Sequence, residues 1–255
     1  MIRLMLLLIL AHLVADFILQ TEGISRSKEE FKFSACFIHF FLTFAVTFLF
    51  IFNYGLIPAL LISAALAVIH ILIDLFKGLL GRWIKNTPMV RLFLFIGDQA
   101  LHLLSITVVF SYIIKNSYDS QMVISMGRVE PLTNFLHFFL IDLNKLILLL
   151  IFYIVIMFAG TVFLDLILGL VNRDFEYYDT RVSRYIGVIE RGLLLTLVTF
   201  GPITSVGLIL TAKSLARFNK LGEREFAEYY LLGTLTSMSI ALVGGLILNN
   251  LLALL

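Results

Sequence analysis

Four histidines and three aspartates interrupt the apolar stretches of this 255-residue chain, most of them in pairs four residues apart. His12 and Asp16 form the first pair, with Gln20 one turn further on. His70 and Asp74 form the second, followed by Lys77. Asp98 and His102 form the third, in reverse order and beside Gln99, and His39 stands alone. In an α-helix, residues four apart share a face and sit about 6 Å apart along the axis. An ionisable group inside a membrane span costs about 2.5–3.5 kcal/mol, so each marks a functional site by default. Imidazole and carboxylate together are ligands of zinc, manganese, iron and related divalent ions. All seven groups (His12, Asp16, His39, His70, Asp74, Asp98 and His102) are therefore candidate ligands, with Asp16, Asp74 and Asp98 doubling as candidate catalytic bases. Seven exceed the need of one ion, which leaves two arrangements: two ions, or one ion with outer carboxylates orienting the histidines. Zinc or manganese suits the donor set. The competing readings are a metal-free proton or ion pathway, and intrahelical hydrogen bonds that hold a bundle together. His137 and Asp142 are five apart and diverge around a helix, so they are read as structural. The single cysteine, Cys36, excludes an internal disulfide framework and a thiolate-rich metal site.

A second polar set suits an anion. Glu190, Arg191, Lys213, Ser214 and Arg217, with Gln20, Lys28, Lys77 and Gln99, supply the cations and hydrogen-bonding groups that hold a phosphate-bearing ligand. Buried Glu–Arg pairing and long side chains reaching to the membrane surface account for the later residues about as well.

The elements that must position these groups follow from composition. Hydrophobic residues make up 60% and charged residues 14% of the chain, against about 45–50% and 25% in soluble domains. The chain is read as an all-α, polytopic membrane helix bundle. A net charge of +2 argues against nucleic acid as a partner and leaves membrane lipid and an anionic small molecule. Oligomeric state is not legible. The opening apolar run resembles a signal peptide, but His12 and Asp16 interrupt it and no small-x-small site follows Gln20, so it is expected to be retained as the first span. Further spans are expected over about 33–52, 56–80, 91–114, 134–171 and 228–255, each near the roughly 20 residues a bilayer requires or longer. Asn53-Tyr54-Gly55 marks a tight turn, and 81–90, with Pro88, a polar loop. Gly201-Pro202 divides the apolar stretch 186–218 into halves too short to span, predicting a re-entrant hairpin, with a full span and seven crossings as the alternative. Two parts are expected: residues 1–115 carrying the His/Asp cluster, and residues 116–255 with the long helix, hairpin and last helix.

Charge sets the orientation. With the hairpin re-entrant, 14 Lys and Arg residues fall on the face reached at the end of the first helix and three on the other; with a full span the division is 10 to 7. The positive-inside rule favours the lopsided count. That face is then cytoplasmic, both termini lie outside, and the His/Asp groups lie near the cytoplasmic face.

These motifs carry a resemblance. His12-Leu-Val-Ala-Asp16-Phe-Ile-Leu-Gln20, Lys28, His39, His70-Ile-Leu-Ile-Asp74-Leu-Phe-Lys77 and Asp98-Gln-Ala-Leu-His102 resemble an uncharacterised bacterial membrane family of unknown function. Ile186-Gly-Val-Ile-Glu190-Arg191, Leu210 to Phe218 and Ala227 to Thr234 are similar to its longer members. The first half also loosely resembles the predicted membrane-bound metal-dependent hydrolases, which share membrane His/Asp motifs. With the cluster opening at the cytoplasmic interface, the residues are read as a metal-dependent hydrolase of the bacterial inner membrane acting on a lipid or lipid-linked phosphate, and that likeness serves as analogy. The alternative is a metal-ion or proton transporter using the same cluster.

Overall fold

The computed structural model describes residues 2–85, 87–117, 142–171 and 181–255. His137, the polar stretch after Ser117, the expected start of the fifth span and most of the loop 173–184 lie outside the described residues. Among the described residues every regular element is helical. They are α1 (Ile2–Leu19), α2 (Glu22–Glu29), α3 (Phe33–Ile51), α4 (Leu56–Trp83), α5 (Pro88–Ser117), α6 (Leu143–Val171), α7 (Arg181–Phe200), α8 (Ser205–Ala216) and α9 (Arg224–Leu254). Six of these, α1, α3, α4, α5, α6 and α9, are long and apolar enough to cross a membrane. The expected all-α polytopic bundle is what the chain forms. It divides into two compact units, Met1–Ile151 and Phe152–Leu255.

In the first unit α1, α3, α4 and α5 each carry two kinds of buried surface at different heights. Toward one end, Leu4, Leu8, Ile51, Ile62, Leu66 and Ile106 pack as a dry aliphatic layer. Toward the other end the same four helices carry His12, His39, His70, Asp98 and His102, all buried. The α3–α4 turn is the tight one expected: Gly55 adopts φ 111°, a region that L side chains avoid. Pro88 is not in a loop. It is the first residue of α5, where its missing N–H would have no partner in any case, and Thr87 Oγ1 accepts the Val90 N–H at 3.3 Å.

The segment between the first two expected spans contains α2, a short polar helix. Phe31 follows it in the left-handed region (φ 58°). Its ring lies against Gly78 of α4, where an added Cβ would stand 3.1 Å from Phe31 Cζ, and beneath the Arg82 guanidinium at 4.1 Å. This contact fastens α2 to α4 and so brings Lys28 to Asp74.

In the second unit, α7 and α8 fold back on each other at Gly201-Pro202. Glu190 and Lys213, on opposite sides of that turn, meet at 2.6 Å. The hairpin's ends therefore come together as expected. The last helix α9 approaches α7 through Gly245, where a Cβ would lie 2.5 Å from Val198 Cγ1. Small residues permit such close helix contact in membranes.

The orientation is tested by cysteine accessibility in a Cys36→Ser background. Single cysteines placed in 173–184 and in 217–224 are expected to label from the same, cytoplasmic side. Labelling from opposite faces would replace the re-entrant hairpin with a full span.

Candidate metal centre

All seven residues singled out on α1, α3, α4 and α5 come together in one buried cluster. Asp16 Oδ1 stands 3.1 Å from His70 Nε2 and 3.3 Å from His39 Nε2, and the two imidazole nitrogens are 2.8 Å apart. Asp74 Oδ2 lies 3.6 Å from each of those nitrogens. Atoms sharing one divalent ion at about 2.0–2.2 Å stand about 2.8–3.6 Å from each other, from octahedral to tetrahedral arrangements. Every one of these five separations falls in that range. Asp16 Oδ1 accepts no hydrogen bond despite the two short approaches. His39 Nε2 and His70 Nε2 stand at hydrogen-bond distance from each other, and Asp16 Oδ1 is left to face a position shared with them.

Beside them stands a second group, Asp74, Asp98 and His102. His102 Nε2 is 3.5 Å from Asp98 Oδ1 and 3.8 Å from Asp74 Oδ1. The His70 and His102 rings stack with centroids 4.1 Å apart, and His12 lies 4.9 Å from His102.

The first helix reaches this geometry through a local change of winding. Val14–Leu19 is a π-helical turn. Such bulges insert an extra residue per turn and recur at functional sites. The bulge carries Asp16 on its first turn; His12 Nδ1 and Asp16 Oδ2 remain within 3.9 Å. Nothing in the Val-Ala-Asp-Phe-Ile-Leu run signals it, since the run lacks Gly and Pro, and it went unpredicted.

Around the ligand candidates sit the residues expected to hold substrate. Lys28 Nζ donates to Asp74 Oδ2 at 2.6 Å and to Gln20 Oε1 at 2.9 Å. Lys77 Nζ donates to Asp98 Oδ2 at 2.9 Å, and Gln99 Nε2 donates to the same oxygen at 3.2 Å. The Lys77 side chain is 35% exposed against 10% for Lys28, so the open side of the centre is at Lys77.

The remaining expected residues belong to the second unit. Arg191 is fully buried and gives its N–H groups to the protein itself: Nε to Ile156 O (2.9 Å), one terminal nitrogen to Met157 O (3.0 Å) and to Thr161 Oγ1, and the other to Ser237 Oγ (3.3 Å). Ile156 and Met157 lie in a second π-helical turn, Val155–Ala159, whose widened winding turns carbonyls outward. Glu190 is paired with Lys213, whose ammonium also lies 5.7 Å from the Tyr230 ring. Ser214 and Arg217 are half-buried on α8 and its C-terminal end.

With this geometry in hand, the comparison with known families is specific. Residues 4–129 match the model of a protein family of unknown function (DUF3307). The match covers α1 to α5 and every candidate ligand, so the expected likeness to an uncharacterised family holds for the part of the chain that carries the cluster. No curated protein and no solved structure matches the chain.

Proposed function

We propose that the chain is a membrane-embedded, metal-dependent hydrolase of the bacterial inner membrane. It acts at the cytoplasmic interface on a lipid or lipid-linked, phosphate-bearing substrate. The observation that carries this reading is the set of five separations among Asp16, His39, His70 and Asp74, each suited to a divalent ion such as zinc or manganese. A divalent ion held there would lower the pKa of a water and polarise a phosphoryl oxygen.

The chain's own residues supply the remaining work. Asp16 offers a carboxylate oxygen, Oδ2, for proton transfer with a bound water. Lys77 and Gln99, at the open side, and Lys28 with Gln20 deeper in, give N–H donors to an anionic headgroup. Each lysine is already paired with a carboxylate, which fixes its position before substrate arrives. Arg191 is assigned no role in binding, because its donors go to backbone carbonyls and hydroxyls of the second unit.

A transporter for metal ions or protons would need a polar route on both sides of the cluster. Beyond it, α1, α3, α4 and α5 meet in the aliphatic layer of Leu4, Leu8, Ile62, Leu66 and Ile106, which favours one-sided access.

Full-length protein purified without chelator and placed in lipid nanodiscs tests the reading. Release of phosphate or headgroup from anionic phospholipids is expected, abolished by EDTA and restored by manganese or zinc. Folded protein that retains no divalent metal after chelator-free purification would overturn the proposal.

A further inference from the structure

We infer that the centre is dinuclear, with Asp74 as the carboxylate bridging its two ions. This rests on the metal-dependent reading above and extends it to a second site, formed by Asp74 Oδ1, Asp98 Oδ1 and His102 Nε2 with His12 alongside.

Three observations carry it. The two oxygens of Asp74 face different partners: Oδ2 accepts from Lys28 Nζ at 2.6 Å and faces His39 and His70 at 3.6 Å, and Oδ1 faces His102 at 3.8 Å. One carboxylate aimed both ways is how a shared ligand holds two ions close together, about 3.5–4 Å apart in two-metal hydrolytic sites.

The second observation is unmet hydrogen bonding. Asp98 Oδ1, His102 Nε2 and His12 Nε2 are buried and have no hydrogen-bond partner among the described residues. A buried polar atom left without a partner costs about 1–3 kcal/mol. Three of them, one on α1 and two on α5, with the His12 and His102 rings 4.9 Å apart, call for a ligand between them.

The third is how Asp98 is held. Lys77 and Gln99 both donate to Oδ2, the outer oxygen, leaving Oδ1 directed at His102. Outer donors that fix one carboxylate oxygen and free the other are the support that metal ligands receive. A hydrogen-bonded glue of His–Asp pairs would instead use Oδ1 for His102, yet that oxygen accepts nothing.

Two divalent ions beside three aspartates and two lysines leave the centre with an excess of positive charge. An anionic, phosphate-bearing substrate would meet that excess, which is why the second ion and the proposed substrate class belong together.

The test uses full-length protein in nanodiscs, loaded with Mn(II) and washed free of loosely held ions. Elemental analysis is expected to give about two manganese per chain, and electron paramagnetic resonance an exchange-coupled pair rather than the hyperfine pattern of an isolated Mn(II). Asp98→Asn, isosteric and still able to meet Lys77, and His102→Ala are each expected to lower the content to about one and to restore the isolated pattern. Asp74→Asn is expected to lower it below one. A wild-type content of one with the isolated pattern would overturn the dinuclear centre and leave the hydrolase reading intact. A content of zero would overturn both. Two ions retained in both Asp98→Asn and His102→Ala would overturn the assignment of the second site. The wild-type spectrum decides the central claim even if a variant does not fold.

Discussion

Replacing His70 with alanine is expected to weaken divalent metal binding more than about 100-fold, beyond the 10–100-fold range for losses of outer partners. His70 Nε2 sits within 3.6 Å of His39, Asp16 and Asp74 at once, and its ring stacks on His102. Lys77→Met, by contrast, removes a donor to the outer oxygen of Asp98 and is expected to cost within that 10–100-fold range. His137→Ala is the control, since sequence spacing sets it apart, and its affinity should equal that of the wild type. Competition titration with a fluorescent zinc chelator measures all three. Wild-type affinity in His70→Ala would remove this residue, and the shared-ion reading built on it, from the site.

The second large effect is on stability. Arg191→Ala is expected to lower the unfolding free energy by about 3 kcal/mol or more, because the carbonyls of Ile156 and Met157 lose their donor in a buried setting at about 1–3 kcal/mol each. Arg191→Lys should recover only part of the loss, since one ammonium cannot reproduce a planar fork that reaches two carbonyls and two hydroxyls. Thermal unfolding in detergent, read by tryptophan-independent far-UV circular dichroism, reports the order wild type, lysine, alanine. Equal midpoints for all three would show that the second π-turn does not depend on the guanidinium.

These two cases also mark where the sequence was and was not readable. The place of His70 in the cluster was legible because it depends on residue type and a spacing of four, and a regular helix converts both directly into geometry. The same rule delivered His12, Asp98 and His102 to one depth. Arg191 was legible as a buried cation but not in its use. It was expected to bind an anion, whereas it caps carbonyls opened by a change in helical winding 35 residues earlier, at Ile156. Such winding is set by tertiary pull rather than by local propensity, and neither π-turn contains a proline to announce it. The helix Glu22–Glu29 was hidden for another reason: its polarity reads as a loop, and its order comes from Phe31 seated on Gly78, a contact between residues 47 apart. Pro88 reads as a loop residue in the sequence because proline breaks helices from within. At the first position of α5 it begins one.

The aliphatic layer formed by Leu4, Leu8, Ile62 and Ile106 has an electrical consequence. Tightly packed hydrocarbon is a poor dielectric, so the voltage across the membrane falls mainly over that layer and little of it over the His/Asp centre on the near side. Chemistry there would run at the same rate in an energised and a de-energised cell. It would also leave the ion gradients untouched, because a proton released at the centre has only the face it came from to return to. On the proposed hydrolase reading, reactant and product would share the side opened at Lys77, and spent product held there would slow turnover.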